Sequence, residues 1–406
     1  MRPIGLPNPA ILAACLLGAV SSSVRGQIPG RALNEPKPES AARTLWKAEL
    51  AVPPTARFTV LPDRVAVLAP AGDALQIHDT TGALIERVAL PGPLDGIAAS
   101  PRGDRLLGVL SIDEDRFRHT VLGIDGSLVW SRTVGSPLRF SPSGDFLLTR
   151  HDALDASQPP TAFRARDGEV AWTDDENPVY WSLDASADNR LAYYRPGLLR
   201  LIELPTGRSL WERTVPADEA HDFGEVILSL SGDTVVIRTR LEAEHGEKRL
   251  TRVYDGSGGL LWERLSERGA GETEGRIAAV SSDGSLLARL DPAGLSILNA
   301  ADGRVVDRIE GRRLCCVTAF TDEMLALSRP RESRVYRLRR GALQGAVRFS
   351  EPVRFVFRAD AGSGPGIPAP GTGGRYLAIV GRPSASGISV APLDFSLWRP
   401  EPGPRD

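Results

Sequence analysis

A six-residue motif recurs along the chain and limits what the chain can fold into. In its full form it is an Asp-Gly pair followed by three residues and a tryptophan, as in residues 125–130 and 167–172. Two further copies keep the glycine and the tryptophan, and two keep the turn alone: 206–211, 258–262, 81–86 and 302–307. Repetition of this kind predicts one structural unit that is repeated along the chain.

The spacing of the motif indicates the size of that unit. The turn glycines, with a weaker seventh copy, are Gly82, Gly126, Gly168, Gly207, Gly258, Gly303 and Gly341. Their separation of about 43 residues is typical of a four-stranded propeller blade and too long for leucine-rich or ankyrin repeats. Each unit also has an upstream marker, a tight turn such as Ser141-Pro-Ser-Gly-Asp145 before an apolar run. This marker is typical of a hairpin whose second strand follows the turn.

The composition favours an all-β chain. The 406 residues include 41 glycines and 32 prolines, which indicates many turns because no collagen period is present. In the outer strand after Gly207, Leu210 and Glu212 share one face and Trp211 lies on the other. We therefore predict that the outer-strand tryptophans pack between adjacent blades and do not form a ligand-binding set: Trp130, Trp172, Trp211 and Trp262.

The number of blades follows from counting the first strands. Eight units begin near Ala56, Gly96, Leu138, Val179, Glu225, Ile277, Val317 and Val353. The last unit shows three strands, and residues 44–50 form an unassigned strand at the start of the chain. We predict a single eight-bladed β-propeller over residues 44–399, with this N-terminal strand completing the last blade and closing the ring. The alternative is a ring of seven blades with residues 353–399 as an appendage.

The repeat resembles two families of β-propellers. Units that end in tryptophan, such as residues 203–212, resemble the repeats of quinoprotein-like (PQQ-like) propellers. The Ser-Pro-x-Gly-Asp turns are similar to those of WD40-like propellers. The resemblance covers about residues 44–399 and implies the fold. It does not imply one function, because this fold hosts enzymes, scaffolds and binding modules alike.

The resemblance also draws attention to the adjacent Cys315 and Cys316. Quinoprotein dehydrogenases of this fold often stack their quinone on a disulfide between adjacent cysteines, beside a calcium ion held by Glu, Asn and Asp. Those enzymes are usually longer, and no such calcium set is identifiable here. The alternatives are a vicinal disulfide without catalytic function, or two thiols that alternate along a strand as small apolar groups. We expect no cofactor.

The first 26 residues have the features of an export signal. Arg2 precedes an apolar run over residues 10–20, which is too short to span a bilayer as a helix, and small residues follow it. A second interpretation is that residues 12–15 are a bacterial lipobox, which would place a lipid anchor on Cys15. Residues 27–43 are rich in proline and are predicted to be a flexible leader, and residues 400–406 a tail. No other apolar run is long enough to predict a transmembrane helix in the mature chain.

Acidic residues concentrate in the predicted loops between the second and third strands of a blade and in the crossovers from a fourth strand to the next blade. These loops and crossovers share one face of a propeller. The candidate interaction face consists of Asp113, Glu114, Asp115, Asp174, Asp175, Glu176, Asp218, Glu219 and Asp222. Such a face would steer a partner or a cation. The alternative is that these residues are the ordinary charged loops of a soluble protein.

The remaining features favour a protein that is not an enzyme. No two of the five histidines have the spacing of a helical metal motif, and no nucleophile elbow or Walker-type loop occurs. The net charge of -2 argues against nucleic acid as a partner. We predict an exported scaffold, periplasmic or extracellular, that binds another envelope protein or a glycan. Such a scaffold resembles the propeller lipoproteins of outer-membrane assembly. The alternative is a quinone- or calcium-dependent oxidoreductase, or a hydrolase, with its site at the mouth of the central channel.

Overall fold

The computed structural model describes most of the chain after residue 57. The described residues are 58–60, 64–69, 71–79, 83–113, 116–149, 159–174, 176, 181–215, 224–243, 246–267, 276–291, 294–310, 316–321, 323–329, 332–339, 341–349, 353–358, 375–384 and 387–394. They form 31 strands, and none of them lies in a helix. The strands make eight antiparallel sheets, numbered here in chain order, of which seven have four strands and the last has three.

Each of the first four sheets consists of consecutive strands. Sheet 1 contains β1 (Phe58–Val60), β2 (Arg64–Leu68), β3 (Ala74–Asp79) and β4 (Leu84–Ala89). Sheet 2 contains β5 (Gly96–Ala99), β6 (Arg105–Ser111), β7 (Phe117–Gly123) and β8 (Leu128–Val134). Sheet 3 contains β9 (Leu138–Phe140), β10 (Phe146–Thr149), β11 (Thr161–Arg164) and β12 (Val170–Thr173). Sheet 4 contains β13 (Ser182–Ala185), β14 (Arg190–Arg195), β15 (Leu198–Glu203) and β16 (Arg208–Thr214).

The second half of the chain repeats this arrangement. Sheet 5 contains β17 (Glu225–Leu228), β18 (Thr234–Ala243), β19 (Gly246–Asp255) and β20 (Leu260–Glu267). Sheet 6 contains β21 (Arg276–Val280), β22 (Leu286–Asp291), β23 (Gly294–Asn299) and β24 (Val305–Glu310). Sheet 7 contains β25 (Cys316–Phe320), β26 (Met324–Arg329), β27 (Glu332–Arg339) and β28 (Ala342–Phe349). Sheet 8 contains β29 (Val353–Arg358), β30 (Arg375–Ser384) and β31 (Gly387–Asp394).

The sheets pack side by side around their first strands. First strands contact each other in the pairs β1 and β5, β13 and β17, β17 and β21, β21 and β25, and β25 and β29. Between sheets 4 and 5, Asp184 accepts a hydrogen bond from the backbone N–H of Leu228 at 3.0 Å. These are the relations of a β-propeller, so the predicted all-β propeller of four-stranded units is confirmed. Residues 44–50, predicted to close the ring, lie outside the described residues.

The hydrophobic core is divided among the junctions between sheets. One buried cluster joins Leu201 and Trp211 of sheet 4 to Val226 and Ile237 of sheet 5. Five other clusters join sheets 1 and 2, 2 and 3, 3 and 4, 5 and 6, and 6 and 7 in the same way. In sheets 2 to 6, both faces of the inner strands are therefore covered by neighbouring sheets, which explains why apolar residues run continuously through these strands.

The repeated motif forms the turn before each outer strand. Asp255 opens one such turn and accepts hydrogen bonds from the Ser257 hydroxyl at 2.6 Å and the Gly259 N–H at 2.9 Å. The Ser257 hydroxyl is the main cause that lowers the pKa of Asp255 below its ordinary value. Gly258 follows with a φ of 84°, a conformation that glycine adopts without steric cost.

A β-bulge follows this turn in every four-stranded sheet. The pairing of each outer strand with its neighbour skips one residue, and these residues are Ile85, Val129, Ala171, Leu210, Leu261, Val306 and Gln344. The next residue after the bulge is the tryptophan, or the residue that replaces it. A bulge re-aims the side chains around it, so it turns the tryptophan towards the next sheet.

The tryptophans connect successive sheets, as predicted. Trp130 donates to the carbonyl of Ala165 at 2.9 Å, Trp211 to that of Gly256 at 3.0 Å, and Trp262 to that of Ala300 at 2.8 Å. Each acceptor belongs to the outer turn of the following sheet. Trp172 instead packs its ring against Tyr193 of sheet 4, 5.1 Å between centroids.

The turn glycine of the next sheet makes room for each indole. A Cβ atom added to Gly168 would lie 2.8 Å from Trp130, and one added to Gly258 would lie 2.8 Å from Trp211. Glycine and tryptophan thus recur together for two reasons, the turn conformation and the contact across the junction. In sheet 6 the tryptophan is replaced by Asp307, which accepts the N–H of Leu343 in sheet 7 at 2.9 Å.

Candidate interaction face

Two opposite faces follow from the antiparallel order of the strands. The connections from first to second and from third to fourth strands lie on one face, which we call the turn face. The connections from second to third strands, and the crossovers to the next sheet, lie on the other face, which we call the loop face. Of the acidic residues proposed from the sequence, Asp113, Asp174 and Glu176 are described, and they lie on the loop face.

The turn face is built from short turns that are hydrogen-bonded to one another. Buried serines close them, as where the Ser141 hydroxyl accepts the N–H of Phe146 at 3.2 Å. In sheet 5 this position is Ser229, which accepts the N–H of Thr234 at 3.0 Å. Neighbouring turns are joined directly, since Thr234 donates its hydroxyl to the carbonyl of Gly284 at 2.8 Å. Among the described residues, these turns are therefore regular and joined by hydrogen bonds.

Among the described residues, the longest pairing between a second and a third strand is a hairpin in sheet 5, which extends on the loop face. β18 and β19 have ten residues each, whereas β14 and β15 of sheet 4 and β22 and β23 of sheet 6 have six each. Their register runs from Thr234↔Asp255 to Ala243↔Gly246 without interruption. Four additional residues at about 3.3 Å per residue extend the hairpin by about 13 Å on the loop face.

Sequence reasoning did not identify this hairpin as a functional element. A signal was present, because the interval between turn glycines is longest from Gly207 to Gly258. The two crossovers that flank sheet 5, residues 215–224 and 268–275, contain Asp218, Glu219, Asp222, Glu272 and Glu274. The loop face therefore departs most from the repeat around sheet 5.

Asp113 lies on the loop face, at the start of the connection between β6 and β7. Its carboxylate accepts a hydrogen bond from Arg116 at 2.7 Å, and both side chains are largely exposed. The neighbouring Asp95, in the crossover from sheet 1, accepts the N–H of Ser111 at 2.7 Å. Ile112 precedes Asp113 in the chain, and 41% of its surface is exposed. This part of the face offers both a paired carboxylate and an apolar side chain.

Asp174 has a different environment from the one that its sequence position suggested. It follows β12, is only 5% exposed, and accepts a short hydrogen bond from the hydroxyl of Tyr193. Arg195 approaches it, with Nε 3.4 Å from Oδ2, and also pairs with Glu176. Burial, and then the bond to Asp174, raise the pKa of Tyr193 above its ordinary value. The Asp174 carboxylate is thus enclosed by Tyr193 and Arg195, and Glu176 is the exposed acid of the pair.

The other proposed site residues lie outside the described residues: Cys15, Glu114, Asp115, Asp175, Asp218, Glu219, Asp222 and Cys315. Cys316 is the first residue of β25, where its backbone pairs with Ser328. Within the described part of the chain, no group of three or more His, Cys, Asp or Glu is placed to hold a metal ion.

His119 is a fully buried titratable group behind the loop face. It lies in β7, and its Nε2 donates to the carbonyl of Ser136 at 3.1 Å. Since a carbonyl only accepts, the neutral ring carries its proton on Nε2. Among the described residues, Nδ1 has no hydrogen-bond partner. Burial lowers the pKa of His119 from 6.5 to about 4, although the bond to Ser136 acts in the opposite direction.

Stability is therefore expected to fall as the pH decreases from about 6.5 to about 4. Over that range the unfolded chain binds a proton at His119 and the folded chain does not, and the full effect is about 3 kcal/mol. The measurement is urea unfolding at pH 7 and pH 4.5, for the native chain and for His119→Gln. Glutamine keeps an N–H donor and does not titrate, so it removes this part of the pH dependence. An equal pH dependence in both proteins would contradict the assignment.

The fold and its repeats define the class of this protein. It is a β-propeller built from PQQ-like and WD40-like repeats. The model of a PQQ-repeat family described as outer membrane protein assembly factor BamB matches residues 157–313, from the start of β11 to just beyond β24. No curated protein sequence matches the chain significantly.

Solved structures share this fold at low sequence identity. The crystal structure of a eukaryotic initiation factor matches 84% of this chain and 87% of its own, with 13% identity and a TM-score of 0.51. BamB from Moraxella catarrhalis matches 84% of this chain and 95% of its own, with 13% identity and a TM-score of 0.47. Hsv2 from Kluyvelomyces marxianus matches 70% and 92%, with 13% identity and a TM-score of 0.45. Within the described residues, no helix has the length and hydropathy needed to cross a membrane.

Proposed function

We propose that this chain is an exported β-propeller that is not an enzyme and that binds another envelope protein, or a glycan, through its loop face. The observation that carries the proposal is the contrast between the two faces. Where they are described, the connections of the turn face repeat one hydrogen-bonded turn, whereas the loop face bears the extended β18–β19 hairpin. Loops on a rigid scaffold are where proteins most often place their binding residues.

Export is the second part of the proposal. Residues 1–26 act as the signal peptide, residues 27–43 as a leader, residues 44–399 as the propeller and residues 400–406 as a tail. Residues 44–50 add the missing fourth strand to sheet 8 and close a ring of eight blades, since the other seven sheets have four strands each. The match of residues 157–313 to a family described as an outer membrane assembly factor supports an envelope location.

Site-specific photo-cross-linking in the cells that make this protein tests the proposed face. A photoreactive residue at Ile112, on the loop face, is expected to give a discrete adduct of higher mass. The same residue at Leu128, which is 56% exposed on the outer strand of the same sheet near its turn, is the matched control and is expected to give none. Mass spectrometry of the adduct identifies the partner, and cell fractionation shows which cellular compartment contains the adduct. Adducts from Leu128 alone, or a cytosolic product, would contradict the proposal.

A further inference from the structure

The exposed apolar side chains of this protein follow the repeat, with two exceptions. Among the residues whose burial is described, ten of the twelve large exposed hydrophobic residues are the bulge residue of an outer strand or the residue just before it, as at Leu128 and Val129. Their exposure is explained by the bulge, which turns the strand at that point. The exceptions are Ile112 and Leu265, and both lie towards the loop face. Leu265 is 51% exposed, and the repeat gives no reason for it.

Leu265 lies on an unusually long regular edge. β20 is the last strand of sheet 5, and beyond its bulge it pairs with β19 over six residues, from Trp262 to Glu267. In the other four-stranded sheets the corresponding stretch has two to five residues. Among the described residues, no strand covers the outer side of β20. Its alternate backbone N–H and C=O groups therefore face outward in a regular row.

The pairing of β20 with β19 indicates which residue types match those of β20 in a neighbouring strand. At alternate positions β20 carries Glu263, Leu265 and Glu267. The register places Arg252, Leu250 and Lys248 of β19 opposite these three residues. Arg252 donates to Glu263 at 3.1 Å, yet 52% of the Glu263 side chain stays exposed. On its inner side, the acidic, apolar, acidic sequence of β20 is thus already paired with a cationic, apolar, cationic sequence in β19.

We propose that the outer edge of β20, from Trp262 to Glu267, accepts an extended strand of a partner protein whose residues alternate cation, apolar, cation. The incoming backbone would satisfy the outward N–H and C=O groups, and its cations would face the acidic positions of β20 as Arg252 faces Glu263. This inference rests on the proposed function, because it names the kind of partner that would bind where the outer edge of sheet 5 reaches the loop face.

Defined peptides and the purified full chain test the inference. The probes are fluorescent peptides of the form Thr-Lys-Thr-Leu-Thr-Lys-Thr and the same peptide with glutamate for lysine, measured by anisotropy. The lysine peptide is expected to bind at least about tenfold more tightly than the glutamate peptide. Leu265→Lys is expected to weaken it at least about tenfold, because a cation on an edge strand opposes pairing. Leu128→Lys, an equally exposed change at a bulge, is the control and leaves the affinity within about twofold.

A backbone probe separates strand addition from simple charge attraction. N-methylation of alternate amides along one edge of the lysine peptide is expected to abolish binding, and methylation along the other edge to preserve it. Equal binding of the two charge variants, no effect of Leu265→Lys, or no effect of either methylation would overturn the inference. The peptides test the edge of β20 without the cellular partner. If they fail to bind as expected, the proposed function is still tested separately by the cross-link at Ile112.

Discussion

Replacing Trp211 with alanine is expected to lower the free energy of unfolding by about 3–5 kcal/mol. The indole is 8% exposed and fills the junction between sheets 4 and 5, where it packs against Tyr254 with ring centroids 6.0 Å apart. Its N–H bond to Gly256 crosses the same junction at 3.0 Å. Alanine would leave a cavity there and an unpaired carbonyl. Equilibrium unfolding in urea, followed by circular dichroism, measures the loss.

Leu210→Ala is the matched control for Trp211→Ala. Leu210 is the neighbouring bulge residue and is exposed, so its truncation is expected to cost less than about 0.5 kcal/mol. Gly258→Ala tests the other side of the contact, because its Cβ would lie 2.8 Å from the indole. In the double variant this clash is relieved, so the two losses are expected to be less than additive. Full additivity, or a tryptophan variant as stable as the leucine variant, would contradict the role of this contact.

Most of the fold could be predicted from the sequence because it repeats. The spacing of the turn glycines predicted four-stranded units, and the unit starts predicted near Gly96, Leu138 and Glu225 agree with the first residues of β5, β9 and β17. The position of Trp130, Trp172, Trp211 and Trp262 in equivalent strands predicted their packing between sheets. A contact that recurs at several junctions leaves the same residue types at the same spacing each time, and this regularity is what the sequence reveals.

The candidate face was less predictable, because it departs from the repeat. The bulge before each tryptophan depends on register, which is not visible in one strand alone. The burial of Asp174 depends on Tyr193 and Arg195, which lie one sheet further along the chain and have no fixed spacing from it. The length of the β18–β19 hairpin was visible only as a longer interval. A sequence pattern therefore located the loops, but it could not separate a structural carboxylate from an exposed one.

Asp174→Ala tests that distinction, and we expect it to lower the free energy of unfolding by about 3–5 kcal/mol, as for other broken buried ion pairs. The substitution would leave the hydroxyl of Tyr193 without its acceptor and Arg195 without its buried anion. Asp113→Ala is the control, because the exposed Asp113–Arg116 pair is expected to contribute less than about 1 kcal/mol. Asp174→Asn keeps an acceptor for Tyr193 and removes the charge, so its loss should lie between the two.

The same three variants separate stability from binding at the loop face. If Asp174 acts by supporting the crossover between sheets 3 and 4, the adduct from Ile112 persists in Asp174→Asn under conditions where that variant is folded. If Asp113 contributes to the binding surface, Asp113→Ala reduces the adduct without a change in the urea midpoint. A loss in Asp174→Ala no larger than that in Asp113→Ala would mean that both carboxylates act as surface charges. Their roles would then be those that the sequence pattern alone suggested.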